Sequence, residues 1–394
     1  MENDILVYID CIERVNFFHR VAVIGKKLNH NYHFITDSIT SYLSLKLKQY
    51  KVSLLPSLKK NHNIYSYTLN LNNSLDVLNG NQTINYAKDY ASSIINLLDK
   101  LPKKPRYFFI WNGSNTAGIT LSAYAKKNNI SCVFFEISNL PKKLFVDPQG
   151  VNAKSWIFSN LEFLDAYPEV PEEDFDCWKE NWKLYKAGIL PQAKILDENR
   201  SNYYIDRLFS LLFKKPFINQ FKFKKPSVRK KINLDIQPCD LAVNFLFLPL
   251  QVSSDSQLKL NSDVDNLMAI DKAYQIASLN DLQLYIKIHP AEFDRLEIHK
   301  ILEKQRILNF TIVNENTNIL IEKSKLLCVI NSTVGLEAKI LNKKMVVLGN
   351  AIYKDFDNER IKKYITHWLI NIDYFSNEDI PQSEYMSIFS RIRG

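Results

Sequence analysis

An aspartate, a histidine and a Ser-Thr pair in the second half of the sequence each lie just beyond a short apolar run. Asp255 sits in the loop Ser-Ser-Asp-Ser after the run 241–249, which ends close to Gln251. A carboxylate there can attack an anomeric carbon, or it can simply cap a turn or helix. His289 stands before Pro290, so it does not continue into a helix and is held at the end of the run 283–288. Lys287, two residues earlier on the same strand, faces the same way. The two could bind and protonate a phosphate leaving group, although a lone histidine is more often a satisfied structural residue. Ser332 and Thr333 follow Asn331 at the start of a helical pattern, where free backbone N–H groups and the helix dipole favour an anion. All three residue types are also ordinary N-caps. Glu337, one turn on, could accept ribose hydroxyls. Three such breaks in one region converge on a phosphate-bearing ligand.

To bring these residues together, the chain needs strands that end at a common edge. The stretch 326–349 supplies the pattern: an apolar run, the Asn331-Ser332-Thr333 break, a helical segment, and a second apolar run closed by Gly349. That is a parallel β-α-β unit, whose carboxyl edge is where open α/β sheets bind ligands. Upstream, 241–249, 283–288 and 310–313 read as strands, with helices at 264–279, 298–305 and 318–323. The first half repeats the alternation: strands at 5–9, 52–55, 107–111 and 132–137, helical patterns at 17–24, 84–98 and 117–127. The expected class is therefore α/β, two Rossmann-like doubly wound domains. We place the first at 1–155, an aromatic helical insertion with a basic linker at 156–239, the second domain at 240–354, and a helical C-terminal segment at 355–394 that packs back on the first domain. The Gly113-Ser114 turn lacks the spacing of a dinucleotide fingerprint. Asp263-Val264-Asp265 falls at a helix start, where acids act as caps rather than metal ligands.

At 394 residues, 46% hydrophobic and 24% charged, the chain has the composition of a soluble two-domain protein. No apolar run reaches the roughly 18 residues that span a bilayer, and the N-terminus lacks the basic start of a cleavable signal, so a cytoplasmic location is expected. The five cysteines have no CxxC spacing and read as buried thiols. The net charge of +9 permits nucleic acid, an anionic membrane or a phosphorylated substrate as partner. Residues 213–231 carry eight basic residues, no acid and interleaved phenylalanines. They read either as a solvated linker or as a patch for anionic lipid, on the inner face of a bacterial inner membrane. Nothing else resembles a nucleic-acid recognition module, so none is expected.

The segments PLQVSSDSQL (249–258), KIHPAE (287–292) and NSTVGLEAKILNKKMVVLG (331–349) together resemble the capsule polysaccharide biosynthesis family, which includes retaining β-Kdo transferases of capsule and O-antigen assembly. FIWNGSN (109–115) and VDPQGVNAKS (146–155) match more weakly. The resemblance implies a GT-B arrangement, two Rossmann-like domains facing across a cleft, with CMP-β-Kdo held mainly by the second. It assigns catalysis to Asp255 as nucleophile and to His289, and donor contacts to Gln251, Lys287, Pro290, Asn331, Ser332, Thr333 and Glu337. Within that set, His289, Ser332 and Thr333 would meet the phosphate and Glu337 the ribose. Glu136 and Asp147 are the candidate acceptor-side bases. No metal or other cofactor is expected, because Lys287, His289 and the helix end can offset the phosphate charge; the acceptor would be a glycan or glycolipid. The competing readings are an inverting transferase using another CMP- or UDP-sugar, such as a sialic acid donor, and a non-catalytic capsule assembly or export factor.

Overall fold

The computed structural model describes residues 3–58, 63–138, 140–187, 199–214, 236 and 238–393. The chain divides into two compact units, Met1–Lys224 with Tyr364–Gly394, and Lys225–Lys363. Of the basic segment 213–231, only Phe213 and Lys214 lie within the described residues.

The first unit is built on a six-stranded sheet in the order β3-β2-β1-β4-β5-β6: β1 (Asn3–Ile9), β2 (His30–Thr36), β3 (Lys51–Leu54), β4 (Tyr107–Trp111), β5 (Ser131–Ile137) and β6 (Leu144–Asp147). The first five run parallel, and β6 is antiparallel to β5. Helices cover both faces, which is why β4, YFFIW, is buried at every position and reads as an unbroken apolar run. The second unit holds the parallel order β11-β10-β7-β8-β9: β7 (Phe245–Pro249), β8 (Gln283–Lys287), β9 (Thr311–Ile312), β10 (Leu326–Val329) and β11 (Met345–Val347). Counted within each unit, both sheets contain the doubly wound order 3-2-1-4-5, so the expected pair of Rossmann-like domains is present.

The structure adds elements that the sequence did not signal. The strand β2 and the helix Ile39–Leu47 were not expected, because His30, Asn31 and His33 interrupt the apolar signal of HNYHFIT. Pairing with β1 along the full seven residues, Asn3↔His30 through Ile9↔Thr36, overrides that local sequence. The aromatic helical stretch belongs to the first unit: Trp156 stacks on Trp368 at 6.1 Å, and the helix Arg200–Phe213 is tied to Ser38 and Thr40 through Asp206. The C-terminal segment also divides. Residues up to Lys363 stay with the second unit, where Lys339 Nζ donates to Phe356 O at 2.6 Å. Beyond that point Ile370, Tyr385 and Phe389 enter the first core, and Ile370 exchanges two backbone bonds of 2.9 and 3.0 Å with Leu144 on β6. Of the cysteines only Cys11 and Cys328 are buried. Cys177 is exposed because it lies on a solvent-facing turn of the helix Glu172–Ala187.

Candidate active site at the carboxyl edge of the second sheet

In the second unit β7 lies between β8 and β10, so the loops leaving β7 and β10 diverge over the point where strand order reverses. Gln251 and Asn331 occupy that point. Gln251 Nε2 donates to Asn331 Oδ1 (3.1 Å) and Gln251 Oε1 accepts the Asn331 N–H (3.2 Å). Asn331 Nδ2 also donates to the carbonyls of Gln257 (2.8 Å) and Asn261 (3.1 Å), at the end of the helix Ser256–Leu260. Asn266 braces the same loop, donating to Gln251 O (2.9 Å) and accepting from Gln251 N (3.2 Å). Gln251 and Asn331 are each 5% exposed. Where the expectation made them donor contacts, their amides instead satisfy one another and the loop backbone, as buried polar groups must. They form the floor beneath the other residues.

Asp255 stands at the N-cap of the helix Ser256–Leu260, its Oδ1 accepting the Gln257 N–H at 2.7 Å. Burial pushes its carboxyl up, while the Gln257 N–H, His289 and the Leu258 N–H pull it back. Across the edge His289 is exposed after β8, and its Nδ1 accepts the Ala291 N–H at 3.0 Å. That bond selects the tautomer carrying its proton on Nε2. Burial pulls His289 down, opposed first by Asp255 and then by Glu292. Each acts on the charge of the other, so Asp255 and His289 lie within each other's field, and the His289 tautomer presents an Nε2–H donor. Their relation is fixed by Glu292, which sequence reasoning had not assigned. It is 8% exposed; its Oε2 accepts the Ser253 N–H (2.6 Å), its Oε1 the Asp294 N–H (2.8 Å), and its own N–H donates to His289 O (2.9 Å). The only signal for it was its place at the end of KIHPAE.

Ser332 is the N-cap of the helix Thr333–Ile340 by backbone geometry, yet its hydroxyl caps nothing. Ser38, Ser74, Thr83 and Ser155 all accept a helix N–H at the same position, whereas the buried Ser332 Oγ has no partner among the described residues. Its carbonyl is held by the Tyr353 hydroxyl (2.5 Å) and the Gly335 N–H (3.0 Å). Tyr353 packs so tightly on this turn that a Cβ at Gly335 would lie 2.3 Å from its hydroxyl oxygen. A buried hydroxyl without a partner at a helix N-terminus is suited to an anionic oxygen. Thr333 adjoins it, half-buried. Glu337, expected at the mouth for a ribose, is 4% exposed within the helix. Lys287 donates to Glu315 O (2.7 Å) and Thr317 Oγ1 (3.0 Å), so part of its ammonium secures the β9 loop. Pro290 is exposed beside His289. Asp265, as expected, caps a helix, accepting the Met268 N–H at 2.8 Å.

The acceptor-side candidates lie in the first unit. Asp147 is fully buried and accepts four backbone N–H groups, from Gln149 (2.8 Å), Gly150 (3.2 Å), Trp156 (2.8 Å) and Ile157 (3.1 Å). Expected as a candidate acceptor-side base, the carboxylate is spent on folding this loop. Glu136 is half-buried, accepting from Asn112 Nδ2 and from its neighbour Ile137 N–H (3.0 Å). It steadies the Asn112-Gly113 turn after β4, where both residues have positive φ.

Residues 109–356 match the family model described as capsule polysaccharide biosynthesis protein. Protein FixF of Sinorhizobium fredii is 29% identical over 248 residues, covering 62% of this chain and 48% of FixF. The capsule polysaccharide modification protein LipB of Neisseria meningitidis serogroup A is 26% identical over 259 residues, covering 58% of this chain and 60% of LipB. The matched region thus spans about half to three fifths of these relatives' length. Among solved structures, the β-Kdo 2,7 transferase KpsC of Thermosulfurimonas dismutans aligns over 100% of both chains at 11% identity with a TM-score of 0.47, a level at which it supports no assignment. Since the family model spans well over half of the sequence, the chain belongs to the capsule polysaccharide biosynthesis protein family.

Proposed function

We propose that this chain is a retaining glycosyltransferase that moves β-Kdo from CMP-β-Kdo to a lipid-linked glycan. The observation that carries the reading is the buried Ser332 hydroxyl, without a partner among the described residues at a helix N-terminus, on the same sheet edge as Asp255 and His289. In this reading the Asp255 carboxylate attacks the anomeric carbon while the bond to the CMP phosphate oxygen breaks, its electron pair staying on the phosphate. His289, through Nε2–H, and Ser332 with Thr333 stabilise that phosphate, and no metal is needed. The acceptor hydroxyl then displaces Asp255 and loses its proton to a base, for which Glu136 is the candidate retained; two inversions give net retention. The acceptor would be presented at the inner face of the membrane by the basic segment 213–231.

Intact-protein mass spectrometry with donor alone should reveal a covalent glycosyl adduct that is absent in Asp255→Ala. Full transfer by Asp255→Ala would exclude the nucleophile. A second reading draws on the Asp255 bond to the Gln257 N–H, which suits a plain helix cap. It makes the chain an inverting transferase for another CMP- or UDP-sugar, told apart by the anomeric configuration of the product, or a non-catalytic assembly factor. The last predicts no thermal stabilisation by CMP, where a ligand at a hundred times its dissociation constant adds about 2.7 kcal/mol.

A further inference from the structure

The helix Arg200–Phe213 is fastened to the first unit by one narrow side. Only Tyr203 and Asp206 are buried. Asp206 accepts from Ser38 Oγ (2.7 Å), Thr40 N (2.9 Å) and Thr40 Oγ1 (3.0 Å), at the start of the helix Ile39–Leu47. At the other end Ser57 Oγ donates to Phe213 O (3.1 Å) and Leu58 N to Lys214 O (2.9 Å). Polar hooks therefore hold the helix, and its apolar side is turned outward. Ile205 is 53% exposed, Leu208 59%, and Leu211 and Leu212 69% each; with Tyr204 they form one stripe at helical spacing. Contiguous exposed apolar surface of this kind marks an interaction site.

The charges beside the stripe indicate its occupant. Arg200, Arg207 and Lys214 recur every seven residues and so run along one edge of it. The helix's single acid is Asp206, sequestered in the hooks, so the outward face carries none. By sequence, the chain that follows adds seven more basic residues and no acid through Lys231. An acid-free face with an apolar stripe and a cationic edge complements an anionic bilayer. We propose that the helix Arg200–Phe213 lies on an anionic lipid surface with Leu208, Leu211 and Leu212 entering the headgroup boundary. The inference deepens the reading of a membrane-presented acceptor, and rests on it for its purpose, but its evidence is this helix face and not the sugar chemistry.

The test is co-sedimentation of the full chain with vesicles of phosphatidylglycerol mixed with phosphatidylcholine, against phosphatidylcholine alone. Wild type should bind the anionic vesicles. The triple variant Leu208→Gln, Leu211→Gln, Leu212→Gln should bind at least about tenfold more weakly, at unchanged thermal stability because all three positions are exposed. Arg200→Gln with Arg207→Gln should weaken binding and flatten its dependence on salt. Triple-variant binding equal to wild type would overturn the proposal and leave an electrostatic contact by the basic run alone. It would equally be overturned by a wild-type dimer that the triple variant dissolves while vesicle binding persists, since the stripe would then serve a second copy. The thermal shift with CMP, followed in parallel, reports on the sugar-nucleotide site separately.

Discussion

The two sheets share a strand order and differ in what their carboxyl edges do with polar groups. In the first unit the acids at that edge are consumed by the fold. Asp37 accepts the Tyr90 hydroxyl (3.1 Å), Asp76 the Thr116 N–H (2.8 Å), and Asp10 pairs with Arg14; Asp147, which ends the antiparallel β6 and so lies away from that edge, is likewise spent on its four amides. In the second unit the wiring at the floor is done mainly by neutral amides, Gln251, Asn331 and Asn266, with Glu292 and Lys287 as charged straps beside them. With the floor bonded through carboxamides, the Ser332 hydroxyl is left without a partner among the described residues, while Asp255 and His289 each accept a backbone N–H. Under the proposed function, the chemistry falls on the edge whose loops are held mainly by carboxamides and not on the one whose loops are held by carboxylates.

The largest effect that would sharpen this contrast is a pair of aspartate replacements. Asp255→Asn should lower the proposed transfer rate by about a thousandfold while changing stability by less than about 1 kcal/mol, since Asn still caps the helix. Asp147→Ala should cost about 3 kcal/mol in urea unfolding, because it leaves four buried amides without an acceptor, and should spare CMP binding. A stable Asp147→Ala protein would break the comparison. Next, Gly335→Ala drives a methyl group into the Tyr353 hydroxyl and ring and should cost about 1 to 3 kcal/mol, and Tyr353→Phe should not recover it, because two ring carbons lie at 2.5 Å from the same position.

A smaller effect concerns pH. Burial pushes the Asp76 carboxyl up to about 6, against hydrogen bonds from Thr116 and with help from Asp10. A carboxyl raised above its unfolded value binds its proton more tightly in the folded state, so its contribution is complete below the unfolded pKa near 4 and is lost as pH rises through about 6. Stability of wild type relative to Asp76→Asn should therefore fall between those values, and an equal slope in both proteins would refute it. Smallest of all, Ser332→Ala removes a hydroxyl that bonds nothing, so melting should stay within about 0.5 kcal/mol. The thermal shift produced by CMP should nevertheless shrink, as expected for about a tenfold weaker site.

Much of the strand and helix plan was legible because buried parallel strands are apolar runs and their helices carry a regular stripe. What failed was whatever depends on distant partners. β2 was hidden by His30 and His33, and β6 by being four residues long and paired backwards to β5. At the site, the sequence located Asp255, His289 and Ser332 through their position after apolar runs. It could not show that Gln251 and Asn331 bond reciprocally across 80 residues, or that Asp147 is enclosed, since neither burial nor hydrogen-bond saturation leaves a local pattern. Ser332 looked like its fellow caps, and only the unused hydroxyl separates it from them.

The return of the chain after Lys363 bears on how the protein is made. The first unit needs Ile370, Tyr385 and Phe389 against Phe109 and Tyr32 to complete its core, and these are translated only after the whole second unit. The second unit is continuous and can close as soon as it leaves the ribosome, whereas the first must wait with aromatic surface and the rim of β6 uncovered. Synthesis would thus finish the second unit first, and the arrival of Tyr364–Gly394 decides when the nascent first unit stops being a target for chaperones.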